Sequence, residues 1–202
     1  MVLRVGLTGG LASGKSFVGS VLADLGCLLI KADELGHQVL MPGGEAYAGA
    51  IEEFGRGILD PDGSINRRRL GQIVFEKPER LARLNELVHP PVRARQERLI
   101  EEFARREPDG IAVVEAAILI ETGSYRHFHK MILAVCSEEQ QIKRAMERDR
   151  MSREEVLQRL RRQMPLAEKI RYADYVVDTS GDKARTLEQT RDVYYSLRSI
   201  RL

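Results

Sequence analysis

Short apolar runs punctuate this chain, and between them apolar residues recur every three or four positions. The runs Val2–Leu7, Cys27–Ile30, Ile111–Val114, Met131–Val135 and Tyr175–Val177 predict five strands. After the first run, Phe17, Val18, Val21, Leu22 and Leu25 fall on one face of a helix, and Gly26 is placed to end it. A closing helix is predicted over 182–198. Strands that are apolar on both sides and separated by helices call for a parallel sheet covered on both faces, with right-handed crossovers.

The stretch from Glu34 to about Arg106 breaks this rhythm, because it carries little strand pattern. Helical segments are expected at 34–40, 45–54, 67–75, 78–87 and 92–106. Breaks are expected at Pro42-Gly43-Gly44 and Asp60-Pro61-Asp62-Gly63, with Pro90-Pro91 separating the last two helices. So long a helical section between two strands reads as an inserted lobe. The expected division is a core formed by 1–33 and 107–202, a helical insertion over 34–106, and a helical flap over 138–169 inside the core.

Composition narrows the class. The chain has 202 residues, 43% of them apolar, which suits one compact domain with an inserted lobe and no need of disulfides. Charged residues make up 31%, yet the net charge is only +2, so no global field favours nucleic acid. The two cysteines, Cys27 and Cys136, sit in apolar runs and read as buried hydrophobes. The start MVLRVGLTG lacks the apolar length of a signal peptide, and no run is long enough to span a bilayer. The expectation is a cytoplasmic protein with no nucleic-acid or membrane partner, a monomer or weak homo-oligomer.

The first chemistry appears at GGLASGKS. Gly9, Gly14, Lys15 and Ser16 satisfy G-x-x-x-x-G-K-S between a strand and a helix, the context a phosphate-binding loop requires. Glycines let backbone N–H groups turn inward around phosphates, Lys15 brings a point charge, and Ser16 offers a hydroxyl to Mg²⁺. The helix N-terminus adds unpaired donors. Asp33 follows the second strand, at the sheet edge where open parallel sheets do chemistry. Position alone leaves it divided between a functional carboxylate and the N-cap of the next helix. The segment Ser137–Lys169 is dense in both charge signs, and most of it reads as solvated helices laced by ion pairs. Arg144 and Arg148, four apart, present guanidinium forks suited to one phosphate chain. Lys169 reads as a solvated helix end.

The chain also resembles the dephospho-coenzyme A kinase family along nearly its full length. The resemblance rests on GLTGGLASGKS at 6–16, ADELGHQVLMPGGEA at 32–46, FGRGIL at 54–59 and INRRRLGQIVF at 65–75. It continues through LNELVHPPV at 84–92, QIKRAMERDR at 141–150, Gln163 and ADYVVDTSG at 173–181. It implies an α/β phosphate-loop kinase fold with a mostly parallel five-stranded sheet, a helical acceptor-binding domain and a lid. The implied reaction moves the γ-phosphate of ATP, with Mg²⁺, to the ribose 3′-hydroxyl of dephospho-coenzyme A. In that reading Asp33 is the general base, and Lys15 and Arg144 share the catalysis. Gly9, Gly10, Leu11, Ala12, Ser13, Gly14, Lys15, Ser16 and Phe17 bind phosphate together with Arg144 and Arg148. Ser16 meets the metal, and His37, Arg67 and His89 join Asp33 on the acceptor, although His37 is also placed to hold the helix near Asp33 and His89 to fix the turn before Pro90.

Two departures stand out. The family's Pro-Leu-Leu-Phe-Glu-like run reads Ala117-Ile118-Leu119-Ile120-Glu121, and its late Asn-x-Gly-like turn reads Asp178-Thr179-Ser180-Gly181. Shared cores leave two alternatives: a kinase for another small nucleotide, or a nucleotide-dependent switch.

Overall fold

The structure, a computed structural model, describes residues 1–201. In chain order it runs β1 (Leu3–Gly9), α1 (Lys15–Asp24), β2 (Leu28–Lys31), α2 (Ala32–Val39), α3 (Tyr47–Phe54), α4 (Arg67–Glu76) and α5 (Pro78–Arg106). Then follow β3 (Ile111–Glu115), β4 (Lys130–Val135), α6 (Glu138–Asp149), α7 (Arg153–Arg161), α8 (Leu166–Lys169), β5 (Tyr175–Asp178) and α9 (Lys183–Arg198). All five expected strands form within a residue or two of the apolar runs. Two compact units result: Met1–Lys31 with the chain from Glu102 onward, and Ala32–Glu101.

In the first unit the strands form one sheet in the order β2-β3-β1-β4-β5. Every pairing is parallel, with Leu3 opposite Ile111, Val5 opposite Lys130, Leu28 opposite Ala112 and Ile132 opposite Tyr175. β1 is central, so its loop leaves from the middle of the sheet's carboxyl edge, where crossovers diverge and a crevice opens. Val5 and Leu7 are fully buried and pack with Val18 and Leu22 of α1, Val113 of β3, Ile132 of β4 and Leu197 of α9. Burying each such side chain contributes about 1.5–3 kcal/mol. Leu25 closes α1 by donating its N–H to the Val21 carbonyl, and Gly26 follows at φ 96°, the left-handed position that favours glycine. The fold is thus the α/β phosphate-loop architecture that the patterning and the resemblance both led us to expect.

The second unit is helical. Ala50, Ile58, Leu70 and Val74 form its centre, with Phe54, Leu81 and Leu84 packed against them. Asn66 caps α4 by accepting the Arg69 amide at 2.9 Å. Arg95 grips Glu45 through two nitrogens at 3.0 and 2.6 Å. One expectation is corrected: Pro90-Pro91 does not separate two helices, because α5 runs unbroken through both. Proline's fixed φ is itself helical. The pair removes two N–H donors, at a cost of about 3 kcal/mol or more per interior proline. Packing on both sides of the pair offsets that cost, with Leu81 and Leu84 before it and Val92 and Ile100 buried after it.

Both cysteines are buried and unbridged, and burial pushes the Cys27 thiol up to about 12. Among the described residues no helix is long and apolar enough to cross a membrane.

The core reading makes a direct prediction. Leu22→Ala, at a fully buried position between α1 and the sheet, should lower unfolding stability by about 3 kcal/mol. Urea denaturation would measure this, and a loss below about 1 kcal/mol would contradict the packing described.

Candidate active site

The loop between β1 and α1 gets its shape from two left-handed residues, Ala12 at φ 53° and Gly14 at φ 85°. Gly14 is also crowded, because a Cβ there would lie 2.9 Å from the Thr179 hydroxyl. The loop closes on itself where the Ser13 amide donates to the Gly10 carbonyl at 3.2 Å. The Phe17 and Val18 amides then both donate to the Gly14 carbonyl, which starts α1. Lys15 reaches back to the Gly10 carbonyl at 3.5 Å. Phe17, which the resemblance puts among the phosphate contacts, lies under the Lys183 ammonium, 5.8 Å from its ring centre.

Side chains from distant segments hold this loop. Gln141 on α6 donates to the Leu11 carbonyl at 2.8 Å, and Gln163 accepts the Leu11 amide at 3.0 Å. The Leu11 and Ala12 side chains pack against Ile142, Ala145 and Val156 of the flap, so the loop and the 138–169 segment share a small apolar core. Thr179, just past β5, donates its hydroxyl to the Ser13 carbonyl at 2.8 Å. The same hydroxyl accepts from Arg144 at 3.1 Å, while the other arm of that guanidinium bonds the Thr179 carbonyl at 2.7 Å. Arg144 therefore stands one residue away from the loop. Arg148 is engaged elsewhere, through two bonds of 2.8 Å to its neighbour Asp149.

At the mouth of α1, the Ser16 hydroxyl donates to Oε1 of Glu115 at 2.7 Å. Glu115 ends β3, is 8% exposed, and keeps Oε2 buried without a hydrogen-bond partner. A hydroxyl beside an incompletely satisfied carboxylate is a set of hard oxygen donors, which fits Mg²⁺.

In the second unit, Asp33 is not an N-cap. It lies inside the first turn of α2, directly after β2 ends at Lys31. His37 is one turn further along. Desolvation first, and then the Arg67 guanidinium, hold the His37 imidazole below its usual range, against the opposite pull of Asp33 and Glu34. Asp33, His37 and Arg67 thus share one electrostatic environment. His89 lies on α5, lowered first by burial and then by Arg93. It lines a groove of about 390 Å³ with Pro90, Arg93, Ala94 and Glu97.

The dephospho-CoA kinase family model matches residues 3–185. The chain belongs to the dephospho-CoA kinase family. The dephospho-CoA kinase of Aquifex aeolicus is 37% identical over 194 residues, covering 96% of this chain and 97% of that protein. The enzyme of the same name from Carboxydothermus hydrogenoformans is 42% identical over 185 residues, covering 92% and 89%. A solved structure from Thermus thermophilus is 31% identical, with a TM-score of 0.83 over 96% of this chain and 97% of that one.

Within this family frame, the phosphate loop carries a sequence motif, whereas the contacts made by Glu115, Thr179, Gln141 and Lys169 show only in the structure. Glu115 ends an apolar run, and its position at a strand's carboxyl end was the available clue. Thr179 lies in the departing turn, where its hydroxyl takes on both the loop and Arg144. Gln141 opens the family-like segment at 141–150, but its bond to Leu11 leaves no local pattern. Lys169 corrects our expectation of a solvated helix end: it is 2% exposed and lies 2.7 Å from Glu121. In the other departing run, Leu119 and Ile120 are buried and Ile118 is exposed.

The histidine environment is testable. A lowered folded pKa means that the unfolded chain takes up protons first as pH falls. The contribution of His37 and His89 to stability is therefore complete above pH ~6.5 and lost as pH drops through their folded values. Titration of His37 by NMR should show its pKa rising in Arg67→Gln and falling further in Asp33→Asn. The reverse order would contradict the arrangement.

Proposed function

We infer that this chain transfers the γ-phosphate of ATP to the 3′-hydroxyl of dephospho-coenzyme A, giving coenzyme A and ADP. The observation that carries this reading is the family match over nearly the whole chain, joined to an intact phosphate loop. Loop amides, Lys15 and the N-terminus of α1 would cradle the β- and γ-phosphates. Arg144 would turn from Thr179 to the developing charge, a short move for a side chain already beside the loop. Arg148 would leave Asp149 to join it. Ser16 and Glu115 would hold Mg²⁺. That ion, when bound, would neutralise phosphate charge as the bond between the γ-phosphorus and the bridging oxygen lengthens.

Asp33 is the proposed base. As the 3′-oxygen attacks the γ-phosphorus, its proton passes to the Asp33 carboxylate, and ADP leaves with the bridging oxygen. The second unit would bind the acceptor, with Arg67 toward its anionic groups and His37 and His89 along its path. Most of the rate gain would come from alignment and charge stabilisation rather than from proton transfer.

Purified protein with Mg²⁺, ATP and dephospho-coenzyme A should form coenzyme A and ADP in equal amounts, with adenosine and AMP left unchanged as rival acceptors. ATP loss without acceptor phosphorylation would overturn the reading. Asp33→Asn should fold, bind ATP and lose at least about 100-fold in kcat. An unchanged kcat removes Asp33 from the role. Glu115→Gln should raise the Mg²⁺ concentration needed for half-maximal rate, with little change in Tm. A Mg²⁺ titration at fixed ATP would show it.

A further inference from the structure

We propose that Glu121 and Lys169 are a positioning pair that roots the lid. They fix the rear end of the 138–169 segment to the loop leaving β3, and so set where Arg144 stands when the segment closes on nucleotide. The inference rests on the lid reading given above for Arg144.

Lys169 is unusual in its burial, and Glu121 is mostly covered. Lys169 ends the one-turn helix α8 and is 2% exposed, with its ammonium 2.7 Å from Oε1 of Glu121. That same oxygen accepts the Met164 amide at 3.2 Å. Oε2 of Glu121 is buried and unpartnered, and the Lys169 ammonium, likewise without a hydrogen bond, meets Glu121 as an ion pair. Just beyond, the rings of Tyr172 and Tyr125 meet edge-to-face with centroids 4.9 Å apart. Three links therefore join 164–172 to 121–125.

The loop that receives them is itself fixed. Ala116 donates its amide to the Leu7 carbonyl at 3.1 Å, Thr8 bonds the Ala117 carbonyl at 3.2 Å, and Leu119 and Ile120 are buried. This loop begins at Glu115, so the rear root of the flap and the metal-facing carboxylate stand on one short, anchored segment. The front root is pinned separately, by Gln140 to the Ser180 carbonyl at 2.8 Å and by Arg144 to Thr179. Between the roots, α7 is held by Val156 and its apolar neighbours and by the exposed Arg153–Glu139 contact. Closure, in the lid reading, acts on this middle section between the two roots.

Stability alone is a poor reason for the pair. An apolar couple of similar size would hold two segments as well, without desolvating two charges. What the charges add is selectivity: the Met164 amide bonds the same oxygen that serves the Lys169 ammonium as its counter-charge, and a shifted register of α8 would leave that buried ammonium unpaired.

The test uses Lys169→Met and the double variant Glu121→Gln with Lys169→Met, which removes both charges and keeps an acceptor for Met164. In Lys169→Met we expect kcat to fall about tenfold or more while KM for ATP stays within about threefold, together with a lower Tm. In the double variant Tm should recover and kcat should stay low, with faster hydrogen exchange across 164–172 and weaker protection of 138–163 by ATP plus acceptor. Recovery of kcat together with Tm would overturn the proposal and leave the pair merely structural, as would an unchanged kcat in Lys169→Met. Should Lys169→Met fail to fold, the double variant decides alone. Arg144→Ala, measured alongside, separates the two readings. If it keeps full kcat, the lid reading itself fails. If it loses kcat while the double variant keeps it, only the rooting pair fails.

Discussion

A loop that lies outside helix and sheet must have its backbone polar groups satisfied by partners from elsewhere. That constraint organises the first unit. The segment from Gly10 to Ser13 belongs to no helix or strand, so the Leu11 carbonyl and amide turn to Gln141 and Gln163, and the Ser13 carbonyl turns to Thr179. Each of these partners lies more than a hundred residues away in sequence. The sheet brings them to the loop because β1, β4 and β5 are neighbours at one edge. The phosphate loop is therefore a junction that the rest of the unit assembles, and its shape and the position of Arg144 are secured by the same hydroxyl.

The two units carry different kinds of chemistry for a physical reason. The sheet unit places backbone donors and a few buried oxygens with high precision, as suits a phosphate chain of fixed geometry. The helical unit carries exposed arginines and titratable histidines on α2, α4 and α5, as suits recognition through charge. The α5 helix, unbroken through two prolines, runs as one support beneath these side chains.

How much of this was legible in the sequence follows from the range of each interaction. Strands with both faces buried wrote themselves as apolar runs, and the loop motif fixed its own start and end. Asp33 was placed by counting from β2, but only the structure put it inside the first turn of α2 rather than at its cap. Pro90-Pro91 reads as a break because local propensity carries no information on the packing either side of it. Lys169 misled because burial of a lysine depends on a carboxylate far along the chain, and no window centred on Lys169 contains Glu121. Thr179 shows the same limit from the other side: the departure from the family turn was visible, but the two jobs its hydroxyl takes on were not.

The burial of both cysteines has a chemical consequence. The product of the reaction carries a free thiol, and in an oxidising episode such thiols cross-link to any accessible protein thiolate. Here Cys27 and Cys136 are 7% and 5% exposed, and the Cys27 thiol, held up to about 12, stays protonated. Exchange with a disulfide requires the thiolate. The chain thus gives its own product no handle for a mixed disulfide, and can release coenzyme A into a fluctuating redox environment without being trapped by it.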